Sequence, residues 1–281
     1  MSFVVVVDSS SDIPKSMAQE RGIVVVPMPV TIDGQTYLEG VDIFTDEFYE
    51  KFGTFAELPK TSQPNLQTLL EHYEEILQRG DEVVAIHLSS GLSSTYDTAR
   101  MVRDMCSAPE RVHVIDSLGA SFGVGLLALL TRDKLDSFSA WTELETFILG
   151  ERQKMRYIFT LDTLEYLVKG GRVSKTSGFV GNLLDVKAIL HFSSEGKIEQ
   201  FGKVRSRRAA LRKLADTLAE EIVDPEQQVV GISHAKCLAD AQILAEDIRQ
   251  RVKVKDIIIG EVGCIIGSHT GPGTVALFYQ R

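Results

Sequence analysis

Four serines crowd one short stretch of this chain, Leu88 to Arg100, which reads LSSGLSSTYDTAR. Before it lies Val83-Val84-Ala85-Ile86, of strand length and composition, and after it a helical segment runs from Ser94 through Val102. Ser89, Ser90, Ser93 and Ser94 therefore stand where a strand ends and a helix begins. Free backbone N–H groups and the positive end of the helix dipole make such a junction an anion site. Hydroxyls add donors without adding charge, which suits a carboxylate or a phosphate. A helix cap needs only one of them, Ser93 or Ser94, with Asp97 in the first turn. The surplus favours a ligand, the more so because the pattern recurs at Asp8-Ser9-Ser10-Ser11-Asp12 and at Asp116-Ser117.

Other candidate chemistry is thinner. Gly91-Leu92-Ser93-Ser94-Thr95 lacks the last glycine of the nucleophile elbow G-x-S-x-G. A serine hydrolase built on Ser93 with His269 or His87 and Asp116 remains the alternative class. Gly123-Val124-Gly125-Leu126-Leu127-Ala128 fits GxGxxA but lies inside a helical segment, not at the turn directly after a strand. Its glycines read as close-packing residues. No phosphate-binding P-loop occurs, so ATP binding by this chain is not indicated. Arg172 follows Gly170-Gly171 on a tight turn, from which a guanidinium can reach a phosphate or carboxylate. Lys203, Arg205, Arg207, Arg208, Arg212 and Lys213 open a helix that closes with Glu220-Glu221, an order opposed to the helix dipole. They read as a solvated face, with a docking patch for an acidic partner as the alternative.

Composition narrows the field. The 281 residues are 44% hydrophobic and 25% charged, ordinary for a soluble globular protein of one large or two smaller domains. A net charge of −9 and a pI near 5.3 argue against nucleic acid as a partner. Cys106, Cys237 and Cys264 are isolated, without CxxC or metal spacing, so neither zinc nor disulfides are expected and the thiols fit the cytoplasm. The opening MSFVVVVDSS is too short in apolar residues for a signal peptide, and Val124–Leu130 is too short to span a bilayer.

The elements that must hold these residues follow in order. Phe3–Val7, Ile23–Val26 and Arg111–Ile115 are apolar runs of the kind buried on both faces of a sheet. Pro14 sits in the first turn of a helix that Gly22 ends, and residues 30–37 read as a hairpin closed by Asp33-Gly34. A short helix follows Thr45, and Pro59–Pro64 is a loop by its prolines. Asn65 caps a helix with Leu66, Leu69, Leu70, Tyr73, Ile76 and Leu77 on one face, stopped by Gly80. Helices near Ser121–Leu130 and Trp141–Glu151 complete this half. Strand, polar turn and helix thus repeat three times, which predicts a three-layer α/β/α domain with a parallel sheet over residues 1–152. Asp8-Ser9, Ser89–Ser94 and Asp116-Ser117 should share the rim at the carboxyl ends of its strands.

Beyond it the pattern changes. Asp162 and Glu165 read as a capping box for a helix over Thr163–Lys169, which Gly170-Gly171 stops. Val186–Phe192 and Lys197–Val204 form a hairpin about Ser194-Glu195-Gly196. Helices at Arg207–Ile222 and Ala239–Val252, strands at Val229–Ser233, Ile257–Ile259 and Val275–Tyr279, and a loop at Gly267–Gly273 follow. Hairpins mixed with helices predict a two-layer α/β domain with a mixed sheet over residues 153–281.

Six ordered motifs then carry a resemblance that covers the whole chain. They are Asp8–Pro14, Thr61-Ser62-Gln63-Pro64, LSSGLSSTY at 88–96, Ile115-Asp116-Ser117, LDTLEYLVKGGRVSK at 161–175 and His269-Thr270-Gly271-Pro272-Gly273. Together they resemble the DegV family of bacterial fatty-acid-binding proteins. The resemblance implies two α/β domains and a buried long-chain fatty acid as ligand, with no cofactor and no metal. It implies that Thr61, Ser93 and His269 hold the carboxylate, with Ser62, Ser94 and Thr270 beside them. It also implies a partner: a separate fatty acid kinase catalytic subunit that converts the bound acid to an acyl-phosphate for phospholipid synthesis, with Arg172 and Arg205 on the partner- or phosphate-facing side. The chain itself would be no enzyme, cytoplasmic, and neither nucleic-acid-bound nor integral to a membrane. Asp185 and Ala188 stand where the family commonly has asparagine and proline, and Ser94 stands where it has glycine.

Overall fold

The computed structural model describes residues 2–173 and 186–281. Its elements in chain order are β1 (Phe3–Asp8), α1 (Lys15–Arg21), β2 (Val24–Val26), β3 (Pro29–Ile32), β4 (Gln35–Leu38), α2 (Thr45–Lys51), β5 (Lys60–Thr61), α3 (Leu66–Gln78), β6 (Glu82–His87), α4 (Thr95–Met105), β7 (Val112–Asp116), α5 (Phe122–Lys134) and α6 (Trp141–Lys154). They continue as β8 (Met155–Thr160), α7 (Glu165–Lys169), β9 (Val186–Phe192), β10 (Ile198–Arg205), α8 (Arg207–Glu221), β11 (Val229–His234), α9 (Leu238–Arg251), β12 (Asp256–Glu261), α10 (Cys264–Thr270) and β13 (Val275–Gln280).

The apolar runs of the first half form a four-stranded sheet, ordered β2-β1-β6-β7, in which every pair is parallel. Val5 and Val7 face the core shared with α5, while Val6 faces Leu69, Tyr73 and Ala99 of α3 and α4. Both faces are covered, which is why the strands read as unbroken apolar runs. The second half forms a mixed six-stranded sheet, ordered β10-β9-β8-β13-β11-β12, with β11 and β12 parallel and the other pairs antiparallel. Helices α8 and α9 cover one face of it through Leu211, Leu214, Leu218, Leu244 and Ile248.

Helix α5 joins the two sheets. It packs on β1 from one side and on β8, β11 and β13 from the other, and nine of its thirteen residues are buried. A helix apolar all round belongs inside a protein, and the GxGxxA glycines serve that packing. A Cβ on Gly123 would collide with the rings of Tyr157 and Phe278.

The hairpin at 30–37 forms as its DG turn requires, with φ of 49° at Asp33 and 86° at Gly34. Three local expectations need correction. The segment Pro59–Pro64 is not all loop: Lys60 and Thr61 pair with β3 as a third strand of that small sheet. Asp162 and Glu165 make no capping box. Helix α7 starts at Glu165, Thr163 Oγ1 accepts the Glu165 N–H (3.1 Å), and Asp162 pairs with Lys187 (3.0 Å). The expected loop at Gly267–Gly273 is helix as far as Thr270, the end of α10, whose N-terminus is held by long-range caps. The motif residues Ser174, Lys175 and Asp185 lie outside the described residues. No helix among the described residues is long and apolar enough to cross a membrane. Cys106 and Cys264 are buried and Cys237 half-buried, all three as free thiols.

Candidate functional site

An apolar cavity, with about 710 Å³ of empty space including its opening, lies beside the strand ends of both sheets. Met28, Leu88, Phe159, Phe192, Ile265 and Phe278 give most of its greasy wall, and Thr61, Ser93, Arg172 and His269 its polar end. A second, polar space of about 650 Å³ opens to solvent there, lined by Ser62, Gln63, Ser90, Gly91 and Ser94. Thr61, Leu92, Ser93 and Arg172 line both. The arrangement is a greasy chamber with a hydroxyl- and guanidinium-lined mouth.

Each polar residue arrives by a different route. Thr61 is fixed by β5, opposite Val30 of β3. His269 sits in the last turn of α10, and its Nε2 lies 2.7 Å from Thr61 Oγ1, a contact across 208 residues. Gly170 lets the imidazole come close: a Cβ there would stand 2.5 Å from His269 Nδ1. Arg172 leaves the turn whose Gly171 has φ 73°, and its guanidinium donates to the carbonyls of Gly170 (2.6 Å) and Leu92 (3.2 Å). It thereby ties the glycine turn to the serine loop. Ser93 Oγ lies 2.8 Å from Thr95 Oγ1 and accepts the Thr95 N–H at 3.3 Å.

The three hydroxyl neighbours differ in exposure. Ser62 and Ser94 are exposed on the mouth. Thr270 is buried on the cavity wall, and its hydroxyl donates to the Ile266 carbonyl (3.2 Å). Arg205, exposed at the end of β10, lines neither space.

Burial, and then the positive Arg172 nearby, pull the His269 pKa down to about 4. The imidazole is therefore neutral at physiological pH, and among the described residues lining the mouth the charge sits on Arg172. A neutral ring has one N–H. If Nε2 carries it, His269 donates to Thr61 Oγ1 and the Thr61 proton is free to point at a ligand.

The three polar turns do share one rim, yet their N–H groups are largely spent. Asp8 Oδ2 accepts the Leu88 N–H (3.1 Å) and pairs with His87 Nδ1 (2.9 Å), while Asp116 Oδ1 accepts from Ser90 N (3.2 Å) and Leu118 N (3.0 Å). Burial alone would raise Asp8, but the His87 hydrogen bond and charge outweigh it and hold the carboxyl below its ordinary value. These aspartates brace the turns from within, so the donors left for a ligand are side chains rather than the backbone nest expected from the serine run.

The same bonds disassemble the hydrolase alternative. His87 is fully buried between Asp8 and Tyr73 (2.8 Å), Asp116 holds backbone N–H groups, His269 Nε2 faces Thr61, and Ser93 faces Thr95. No described histidine is hydrogen-bonded to Ser93, so nothing activates it as a nucleophile.

Sequence reasoning missed the apolar wall. Phe159, Phe192 and Phe278 come from three strands of the second sheet and read locally as ordinary core. Strands β8 and β13 are buried along nearly their whole length, so nothing local marks which residues face the cavity.

The comparisons with known proteins agree with this architecture. Residues 2–281 match the sequence model of the family described as "Uncharacterised protein, DegV family". A DegV domain-containing protein of Clostridium perfringens is 33% identical over 282 residues, covering 99% of this chain and 97% of its own. The solved structure of a fatty-acid-binding DegV family protein from Thermus thermophilus superposes with a TM-score of 0.92 at 28% identity, covering all of both chains. That of DegV, a fatty acid binding protein from Bacillus subtilis, gives 0.89 at 30% identity, again over 100% of each. With its six motifs, its two main sheets and its full-length matches, the chain belongs to the DegV family.

Proposed function

We propose that the cavity holds one long-chain fatty acid, its tail against the greasy wall and its carboxylate at the mouth among Thr61, Ser93, His269 and Arg172. The observation that carries this reading is the junction itself: an apolar chamber whose polar end is the wall of an open, hydroxyl-lined space. Relatives of the same fold and full length bind fatty acids. Here Thr61 donates to the carboxylate while accepting from His269, Ser93 supplies a second hydroxyl, and Arg172 supplies the counter-charge. Ser62 and Ser94 line the side from which the carboxylate stays approachable.

The division of labour follows from magnitudes. A sixteen-carbon tail buries about fifteen carbons at about 0.8 kcal/mol each, roughly 12 kcal/mol gross, and immobilisation offsets much of it. A hydrogen bond to a charged acceptor contributes about 1.5–3 kcal/mol net. The tail holds the ligand and the polar end orients it. An exposed, oriented carboxylate is what a phosphorylating partner needs, so the chain serves as acyl carrier to a separate fatty acid kinase catalytic subunit. Arg172 and Arg205 are the cations offered to that partner or to its phosphate. The chain has no P-loop and performs no phosphoryl transfer of its own.

Solvent extraction of the purified protein followed by mass spectrometry tests the first half. The expected result is one acyl chain per protein. No acyl chain and no uptake of added fatty acid would refute it. Incubating the loaded protein with a kinase catalytic subunit and ATP tests the second half, with acyl-phosphate as the expected product and none with the emptied protein.

A further inference from the structure

The apolar cavity is lined in part by a side chain that the carboxylate site does not use. At one end it shares Thr61, Leu92, Ser93 and Arg172 with the mouth, and elsewhere it shares Phe192 with a second hollow. That hollow, about 610 Å³ of empty space including its opening, has Leu118, Met155 and Tyr157 in its wall together with Arg152, Arg156 and Arg281. Phe192 thus lines both spaces.

Its aromatic neighbours are buried, and it is half-buried. The Phe192 ring lies 5.1 Å from that of Tyr157 and 6.1 Å from that of Phe159, centroid to centroid. Tyr157 is buried, and the ring fills the room left by Gly119 and Gly123, where any Cβ would collide with it. Phe192 is half-buried, the last residue of β9 before the turn Ser193–Gly196. Among the described residues the deep wall offers no free hydroxyl to a tail. Ser121 donates to Asp12, Thr270 to the Ile266 carbonyl, and Thr274 to the Gly271 carbonyl. Shape alone limits how far an alkyl chain reaches.

We infer that Phe192 is the end stop of the acyl cavity and sets the length of chain the protein accepts, an inference that rests on the fatty-acid reading. Removing the ring joins the two hollows, and enlarging it shortens the chamber. Each further methylene buried raises affinity about fourfold. Wild type, Phe192→Ala and Phe192→Trp are each emptied, then loaded from an equimolar mixture of saturated even-numbered acids from twelve to twenty-two carbons. Bound acids are extracted and quantified against protein, and melting temperatures confirm folding. The expected result is a shift of Phe192→Ala toward acids longer by two or more carbons, enriched about tenfold over wild type, and a shift of Phe192→Trp toward shorter ones. Full occupancy with unchanged lengths in either variant overturns the role of Phe192 and leaves the fatty-acid reading intact. A wild type that takes up no acid overturns both. If one variant fails to fold, the other decides, because the two shifts have opposite signs.

Discussion

If the carboxylate lies as proposed, His269 and Ser93 add little to binding and much to geometry. Ser93 then gives the carboxylate about one hydrogen bond and His269 acts through Thr61, each a minor share beside the buried tail. Misplacing a reacting atom by an ångström costs about a hundredfold in rate. Ser93→Ala and His269→Ala are therefore expected to keep most of their lipid and lose most of the acyl-phosphate formed with saturating kinase. Both quantities are to be measured on one preparation, occupancy by mass spectrometry and transfer by product yield. Lipid lost in proportion to transfer would show that the polar head holds the ligand, contrary to the division argued from the cavity.

At the scale of elements, α10 has seven residues, too few to be stable alone, and depends on caps from far along the chain. Asp12 Oδ1 accepts the Gly263 N–H (3.0 Å), and Glu39 Oε1 accepts those of Cys264 and Ile265 (3.2 Å for the latter). Two carboxylates at a helix N-terminus complement its dipole, but here both are buried. Burial pushes Glu39 up to about 7, and burial followed by the neighbouring Glu39 pushes Asp12 well above its ordinary value. The folded chain thus holds the Glu39 proton to about pH 7, whereas the unfolded chain releases it near 4.5. Between those values the folded form binds more protons. Its advantage is full below pH 4.5 and is lost as pH rises to 7. Glu39→Gln removes this slope. From pH 5 to pH 8 wild type should lose on the order of 1–3 kcal/mol relative to the variant, read by urea denaturation of both proteins at both pH values. His269, whose folded pKa is depressed to about 4, acts oppositely below pH 6.5, but it is common to both proteins and cancels. Parallel stabilities would show that Glu39 is charged throughout.

For the whole molecule, the decisive element is α5, because neither sheet is covered on both faces without it. Leu127, fully buried in its middle, should cost about 2–5 kcal/mol when cut to alanine, and both sheets should melt together. Trp141, the chain's single tryptophan, stacks on His113 of β7 and reports the parallel-sheet side, while far-ultraviolet circular dichroism reports all of it. Coincident transitions in wild type and Leu127→Ala are expected. Two separated transitions would mean that the sheets unfold as independent units despite the shared helix.

Some of this was legible in the residues alone, because its causes are local. Apolar runs without alternation required strands covered on both faces, Asp33-Gly34 required a tight hairpin, Asn65 required a helix start, and the serine run required a polar strand–helix junction. The order of the motifs was enough to identify the family. Tertiary structure decided the rest. It made a helix of residues 264–270, because the groups that cap them are Asp12 and Glu39, more than two hundred positions away. It turned Asp8 and Asp116 onto the N–H groups of the turns at their strand ends, which leaves side-chain hydroxyls exposed at the mouth. It brought Thr61 to His269 across 208 residues and set Phe159, Phe192 and Phe278 around one chamber. A backbone pattern is written by neighbours in sequence; a cavity is a space between elements, and only their packing gives it walls.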